Sequence, residues 1–405
     1  MAIKTNSDTL TNNTDLLAKN LRPFFESHIR EMEKIRRLPK AVVDELKARG
    51  IFRMLAPNRF GGQELDFPLA LERIKHISAI DASIGWVSAI NSGACLMLAK
   101  LPIGSLEVIY KGGPDQIIAG SAQAHGIGTR VPGGWQVTGR WPLASGCNAA
   151  DWIIAAFKAD LAGGPEERTI VRAMLLPANR FVIEDTWHAM GLRGTGSHHI
   201  SIDKAFVPGD YVISLGLGTL SIDKPLYRHP PHLIALTHGA VQLGIARAAM
   251  EDLLGLQRVR PIDDPSGHHE LVHFELGKCV AKLKAAEAVF ERQVDVNWSD
   301  TCAGLPPEPT KLTATIQTGV HVAQETLDIV RRCFQLAGSA AIYEGLSLER
   351  RLRDIHVATQ HGLIKRANFT AGGKALLDSS RDQFGESPVR TDAGPANIAM
   401  SRFGA

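Results

Sequence analysis

The sequence predicts an α+β, multi-domain chain built as an N-terminal α-helical domain, a central β-domain and a C-terminal four-helix bundle. The boundaries fall near 1–115, 116–229 and 230–381, followed by a tail over 382–405. Three observations predict it. Apolar residues recur at helical spacing from Thr9 to about Ser105, short β-rich runs parted by turns replace them from about Gln116 to Val212, and long helical patterns return from His232.

In the first unit Leu16, Leu17 and Leu21 form one helical run and Val42, Val43, Leu46 and Ile51 the next; Leu69–Ile80 and Ser83–Ala99 follow. Between them Asn58–Asp66, with Gly61 and Gly62, breaks the period and reads as an ordered loop. Strands are expected at Ile117–Gly120, Trp135–Thr138, Trp152–Phe157, Thr169–Leu176, Phe181–Ile183 and Ile200–Ala205, with Gly133-Gly134 as a hairpin turn. No helical run separates these strands and no GxGxxG follows one, which argues against a βαβ dinucleotide fold. Helices are then expected over Leu233–Val259, His268–Val296, Lys311–Ala337 and Leu348–Leu377, each roughly seven or eight turns at 3.6 residues per turn, the pattern of a four-helix bundle.

The composition is that of an ordinary globular protein, with 44% hydrophobic and 21% charged residues. The net charge of +3 comes from interspersed Lys and Arg, and the densest basic cluster, Lys34–Lys40, lies on an amphipathic pattern beside acids, so nucleic-acid binding is not expected. The five cysteines have no CxxC spacing and an odd count, as in a reducing compartment. The polar N-terminus lacks an apolar signal region and no window approaches eighteen apolar residues, so neither secretion nor a membrane span is expected and the location is read as cytoplasmic.

Chemistry concentrates in Phe334–His361, FQLAGSAAIYEGLSLERRLRDIHVATQH. Read as a helix from Ser347, it puts Arg350, Asp354 and His361 at i, i+4 and i+11, nearly one line leading to an imidazole. Glu349 and Arg353 form a separate i,i+4 pair. A rival motif is His269-Glu270-Leu271-Val272-His273, a literal HExxH. It needs a third ligand, which an uninterrupted helix over Phe274–Val296 does not offer, so no metal is expected.

Four stretches, DASIGWVSAINSG (Asp81–Gly93), GRWPLASGCNAADW (Gly139–Trp152), GLRGTGSHHISIDKAFVP (Gly191–Pro208) and Phe334–His361, together and in this order resemble the acyl-CoA dehydrogenase superfamily. Within it they look most like the group D, two-component flavin-dependent monooxygenases, over roughly Leu16 to Leu377. The resemblance implies a homotetramer that takes reduced flavin (FAD or FMN) from a separate NAD(P)H-dependent reductase. With O2, through a C4a-(hydro)peroxyflavin, it would add one oxygen atom to a small aromatic or heteroaromatic ring, phenol-like or indole-like. The alternative is an FAD-dependent acyl-CoA dehydrogenase, whose catalytic glutamate follows the Arg-Asp of the last helix. Here Tyr343-Glu344-Gly345 precedes Arg353-Asp354, and Gln360-His361-Gly362 follows it, with no acid. A non-catalytic relative that keeps the bundle as a scaffold is the third reading.

By resemblance His361 is the base, of ordinary pKa near 6.5, with a structural imidazole capping the helix seam as the other possibility. Ser145, followed by Gly146, faces the flavin edge; Ser121 and Gln123 lie along the isoalloxazine ring; Thr195 and Ser197 contact the flavin from the next β-turn. Arg258 and Arg260 match the position of a flavin-phosphate arginine, and Gln335 and Gly338 positions that meet the adenosine end. Trp86 and Asn91 wall the substrate pocket, and Trp187 packs on the ring.

Overall fold

Five helices open the chain: α1 (Asn6–Ile35), α2 (Lys40–Ala48), α3 (Phe67–Ile80), α4 (Ala82–Leu98) and α5 (Ile103–Ile109). They belong to a computed structural model that describes residues 6–160, 170–214, 219–228, 230–258 and 268–383. Helix α4 begins where the Asp81 carboxylate accepts from the backbone N–H of Ser83 (2.9 Å) and Ile84 (3.1 Å), an N-cap contributing about 1 kcal/mol. It is buried around nearly its whole circumference, the mark of a helix inside a core rather than on its surface.

The chain then forms β1 (Ile118–Val131), β2 (Gly134–Ala144), β3 (Trp152–Asp160), β4 (Ile170–Pro177), β5 (Val182–Glu184), β6 (His198–Pro208) and β7 (Val212–Ser214). Among the described residues these make one sheet in the order β5-β6-β2-β1-β3-β4-β7. The expected hairpin joins β1 to β2 antiparallel, with Val131 opposite Gly134, while β1 and β3 run parallel. Trp135, Val137, Trp141, Phe157, Met174 and Ile200 fill one side, and the Trp141 indole donates to the Ala156 carbonyl at 2.6 Å. Pairing of β1 with β3 slips between Ser121 and Gly126, so the intervening residues bulge out of the ladder.

Helices α6 (Pro225–Arg228), α7 (Pro230–Arg258), α8 (His268–Cys302), α9 (Pro309–Ala337), α10 (Ser347–Ala358) and α11 (Phe369–Gln383) complete the described chain. Helix α7 is long and apolar enough to cross a membrane, but 89% of its most apolar window is buried by α3, α4, α8, α9 and α10, so it is the central rod of the core.

The last expected helix, Leu348–Leu377, is two helices. The Thr359 hydroxyl bends back to the Ile355 carbonyl (2.9 Å), His361 adopts an extended backbone (φ −63°, ψ 138°), and the Asn368 amide caps the carbonyls of Gly362 (3.0 Å) and Leu363 (2.8 Å). Hence Arg350, Asp354 and His361 do not form one seam. Arg350 faces Asp81 at 3.7 Å, Asp354 accepts from the Leu192 N–H at 2.6 Å, and His361 has left the helix. The Glu349–Arg353 pair does form, at 2.5 Å, and Arg353 also reaches Glu33 at 2.8 Å.

Candidate active site

Two chain turns of left-handed backbone bring three hydroxyls together. Leu143 (φ 60°) precedes Ser145 and Leu192 (φ 49°) precedes Thr195; a left-handed leucine costs of order 1–3 kcal/mol, strain that tends to collect at functional sites. Gly196 sits between Thr195 and Ser197 at φ 53°, and a Cβ there would lie 2.6 Å from the Asn148 side-chain oxygen, so only glycine fits. The Gly146 N–H donates to the Thr195 carbonyl at 2.7 Å, which clamps one turn to the other. Helix α10 holds the second turn through Asp354 and Leu192. The two backbones approach so closely that a Cβ on Gly191 would lie 2.2 Å from the Arg353 carbonyl oxygen.

Within the cluster Thr195 Oγ1 donates to the Leu192 carbonyl (2.8 Å), Thr195 and Ser197 hydroxyls are 2.7 Å apart, and Ser197 and Ser145 hydroxyls are 2.7 Å apart. The indole of Trp86, on α4, donates to Ser145 Oγ at 3.1 Å. All four side chains are buried.

The other edge of Trp86 meets two imidazoles. His238, on α7, lies parallel to the indole (centroids 5.1 Å apart, 15° between planes), and His361 meets it edge-on at 5.7 Å. The imidazoles face each other, Nε2 to Nε2, at 3.3 Å. Donor arithmetic assigns their tautomers. The Leu363 N–H is 3.3 Å from His361 Nδ1 and can only donate, so neutral His361 carries its proton on Nε2. That N–H points at His238 Nε2, which accepts, leaving the His238 proton on Nδ1, toward Thr237 Oγ1 at 3.4 Å; Thr237 itself donates to the Ile234 carbonyl at 2.9 Å.

Burial pushes the His361 pKa down to about 4, with Lys365 adding a little, and pushes His238 well below the ordinary imidazole value, with His361 adding a little. His361 is partly exposed as a residue, but its ring is the packed end, and the ring sets the titration. Among the described residues no carboxylate bonds to either imidazole, and Glu344 of Tyr343-Glu344-Gly345 is exposed.

Sequence reasoning missed His238 and Gln242, one turn apart on α7. Gln242 is fully buried, and neither atom of its amide has a partner among the described residues. Only the period-four spacing from His238 hints at it.

The other expected site residues divide. Ser121 is buried as the last residue paired before the β1 bulge, Gln123 lies half-buried in the bulge, and Gly120 bridges to Ser145, so this loop adjoins the hydroxyl cluster. Among the described residues the side chains of Ser121 and Gln123 make no hydrogen bond, which leaves them open to a ring with polar edges. Trp187 braces the cluster, its indole donating to the Leu192 carbonyl at 3.1 Å. Asn91 has a different use from the expected pocket wall: its amide donates to the Phe52 carbonyl (2.9 Å) and accepts from the Ile118 N–H (2.8 Å), tying a loop to β1. Arg258 at the end of α7, and Gln335 and Gly338 at the end of α9, are exposed and make no side-chain contact with the cluster in this chain. Arg260 lies outside the described residues. So does the His269 side chain of the HExxH, while His273 is exposed on a continuous α8.

The fit to flavin therefore rests on Ser121, Gln123, Ser145 and the two glycine-bearing turns. Comparison with known proteins points the same way. Residues 11–105 match the family described as acyl-CoA dehydrogenase, N-terminal domain, and residues 236–366 that described as acyl-CoA dehydrogenase, C-terminal domain. The chain is 31% identical over 364 residues to an indole-3-acetate monooxygenase of Pseudomonas putida, covering 89% of this chain and 90% of that one. It is 25% identical over 369 residues to the flavin-dependent monooxygenase oxygenase subunit HsaA of Rhodococcus jostii, covering 84% and 92%. Among solved structures it is similar to XiaF from Streptomyces sp. in complex with FADH2 and glycerol, with a TM-score of 0.83, 25% identity and coverage of 96% and 99%.

Proposed function

This chain belongs to the acyl-CoA dehydrogenase family, in its branch of flavin-dependent monooxygenase oxygenase components, and we propose from that premise how its residues divide the work. The reaction inserts one atom of O2 into a small aromatic or heteroaromatic ring, and an indole-like ring is the substrate class we favour. Reduced flavin, delivered by a separate reductase, supplies the electrons and the activated oxygen.

His361 and His238 hold the proton of the substrate's ring N–H or phenolic O–H. Both imidazoles are neutral at pH 7, so the pair offers one N–H donor and one lone pair at its Nε2 edge. A substrate group that displaces the His361–His238 contact meets both. Trp86 forms the apolar wall against which a flat ring lies, and the buried Gln242 amide supplies a second polar contact. Ser145, Ser121 and Gln123 meet the flavin; Arg258, Gln335 and Gly338 reach flavin across a subunit interface of a cytoplasmic homotetramer.

The observation that carries this reading is the neutral imidazole pair in the place where a dehydrogenase needs a carboxylate base. The test supplies the protein with a flavin reductase, NAD(P)H and O2, and screens indole-3-acetate, indole and simple phenols for a product carrying one atom from labelled O2. His361→Ala should keep flavin binding and lose hydroxylation. Anaerobic bleaching of bound FAD by an acyl-CoA, with no oxygenated product from any ring, would overturn the reading.

A further inference from the structure

The hydroxyl cluster has a direction. The Leu192 carbonyl can only accept, so the single proton of Thr195 Oγ1 is committed to it at 2.8 Å. Thr195 must then accept from Ser197, whose proton is committed at 2.7 Å, and Ser197 must accept from Ser145, again at 2.7 Å. The Trp86 N–H occupies one lone pair of Ser145 Oγ at 3.1 Å. One lone pair remains. The main chain thus turns Ser145 from a hydroxyl able to donate or accept into an acceptor alone.

Reduced and oxidised flavin differ at this kind of contact: N5 of the reduced ring carries hydrogen, and N5 of the oxidised ring carries a lone pair. We propose that the Leu192–Thr195–Ser197–Ser145 relay holds Ser145 Oγ as a fixed acceptor for the flavin N5–H, so that the site selects reduced flavin over oxidised. Thr195 and Ser197 are then positioning residues, acting through Ser145 rather than on the ring. The proposal rests on the reading that flavin lies against Ser145, and it gives that site a reason to capture cofactor from the reductase and release it once spent. Against oxidised flavin the two lone pairs face each other, and the mismatch of one buried hydrogen bond corresponds to about a tenfold difference in affinity.

The test is anaerobic titration of the full chain with FAD and FMN, each oxidised and reduced, taking the ratio of dissociation constants as the readout. Wild type should favour the reduced form about tenfold or more. In Ser197→Ala the Ser145 proton loses its acceptor, and in Thr195→Val the Ser197 proton is freed to point at Ser145; either change lets Ser145 donate to the ring. Both should bring the ratio toward one, chiefly by tightening oxidised flavin, while Thr195→Ser should keep the wild-type ratio. A ratio near one in wild type, or a wild-type ratio in both Ser197→Ala and Thr195→Val, would overturn the relay and leave the flavin reading standing. Failure of wild type to bind any of the four ligands would overturn the flavin reading itself.

Discussion

Lowering the pH from 7 to 4.5 should destabilise the wild-type protein more than a variant lacking the His361 imidazole. His361 moves from an ordinary 6.5 in the unfolded chain to about 4 in the fold, chiefly through burial. A histidine with a depressed folded pKa binds its proton more tightly when unfolded. Stability is therefore complete above pH 6.5 and is lost as pH falls toward 4. Integrating between those values, the contribution lost from pH 7 to 4.5 is about 2 kcal/mol for this one residue. The charged and titratable neighbours act in the same direction: Lys365 repels an imidazolium at His361, and His238, itself depressed, disfavours a second charge. The tautomer lock adds to this, because the proton His361 takes on must go to Nδ1, where it sets a second N–H against the Leu363 N–H.

The assay is urea unfolding at fixed protomer concentration, at both pH values, for wild type and His361→Gln. The titrating groups away from this pair are common to the two proteins and cancel in the double difference, and His238 stays depressed in both because burial is the larger cause of its shift. The wild type should lose about 2 kcal/mol more than His361→Gln between the two pH values. Parallel losses would mean that the ring titrates as if in water, and the buried neutral pair would be refuted.

Three further outcomes follow from the geometry. Asn91→Ala leaves the Phe52 carbonyl and the Ile118 N–H without their partner, so urea unfolding should show a loss of about 2–4 kcal/mol, with little change in flavin affinity once folded. Gly191→Ala drives a Cβ into the Arg353 carbonyl oxygen at 2.2 Å and must push the Thr195 turn away from α10; thermal unfolding should report a loss of about 3 kcal/mol or more, together with weaker flavin binding. Gln242→Leu removes two buried polar atoms that have no partner among the described residues, so stability should hold within about 1 kcal/mol, while KM for an N–H or O–H bearing ring should rise several-fold.

The order of helices, strands and helices was legible because each change of hydrophobic period spans many residues. The hairpin at Gly133 was legible because turn chemistry is local. Other features were hidden for equally physical reasons. The break after Ala358 does not show, since Ile355, Ala358 and Ile364 stay buried on both sides of it and the apolar spacing runs through. Strand β1 extends to Val131, yet His125, Thr129 and Arg130 are exposed and glycines fill its inward positions at Gly126 and Gly128, so only its first residues read as a strand. Asn91 reads as a pocket residue from its helix, but a side-chain amide that bridges two backbones cannot be told from one facing a ligand without the partners. His238 is one of several polar residues on a largely apolar helix, and the residue that gives it meaning lies 123 positions away.

The dehydrogenase and oxygenase branches differ in more than the identity of one base. A carboxylate at that position, ionised at pH 7, could only take a proton. The neutral pair here carries a donor and an acceptor on the same edge, and its polarity is set at one end by the Leu363 N–H and at the other by the Ile234 carbonyl. The hydroxyl cluster is likewise anchored on a main-chain group, the Leu192 carbonyl. Trp86 touches both, giving its N–H to Ser145 and its face to His238. Proton direction on both sides of the indole is thus imposed by backbone rather than by titration, so the site keeps its pattern of donors and acceptors across the pH range in which both imidazoles stay neutral. A ring that must give up or regain a proton while it is oxygenated needs a partner able to do either, and the imidazole pair can do both without a net charge ever entering the buried site.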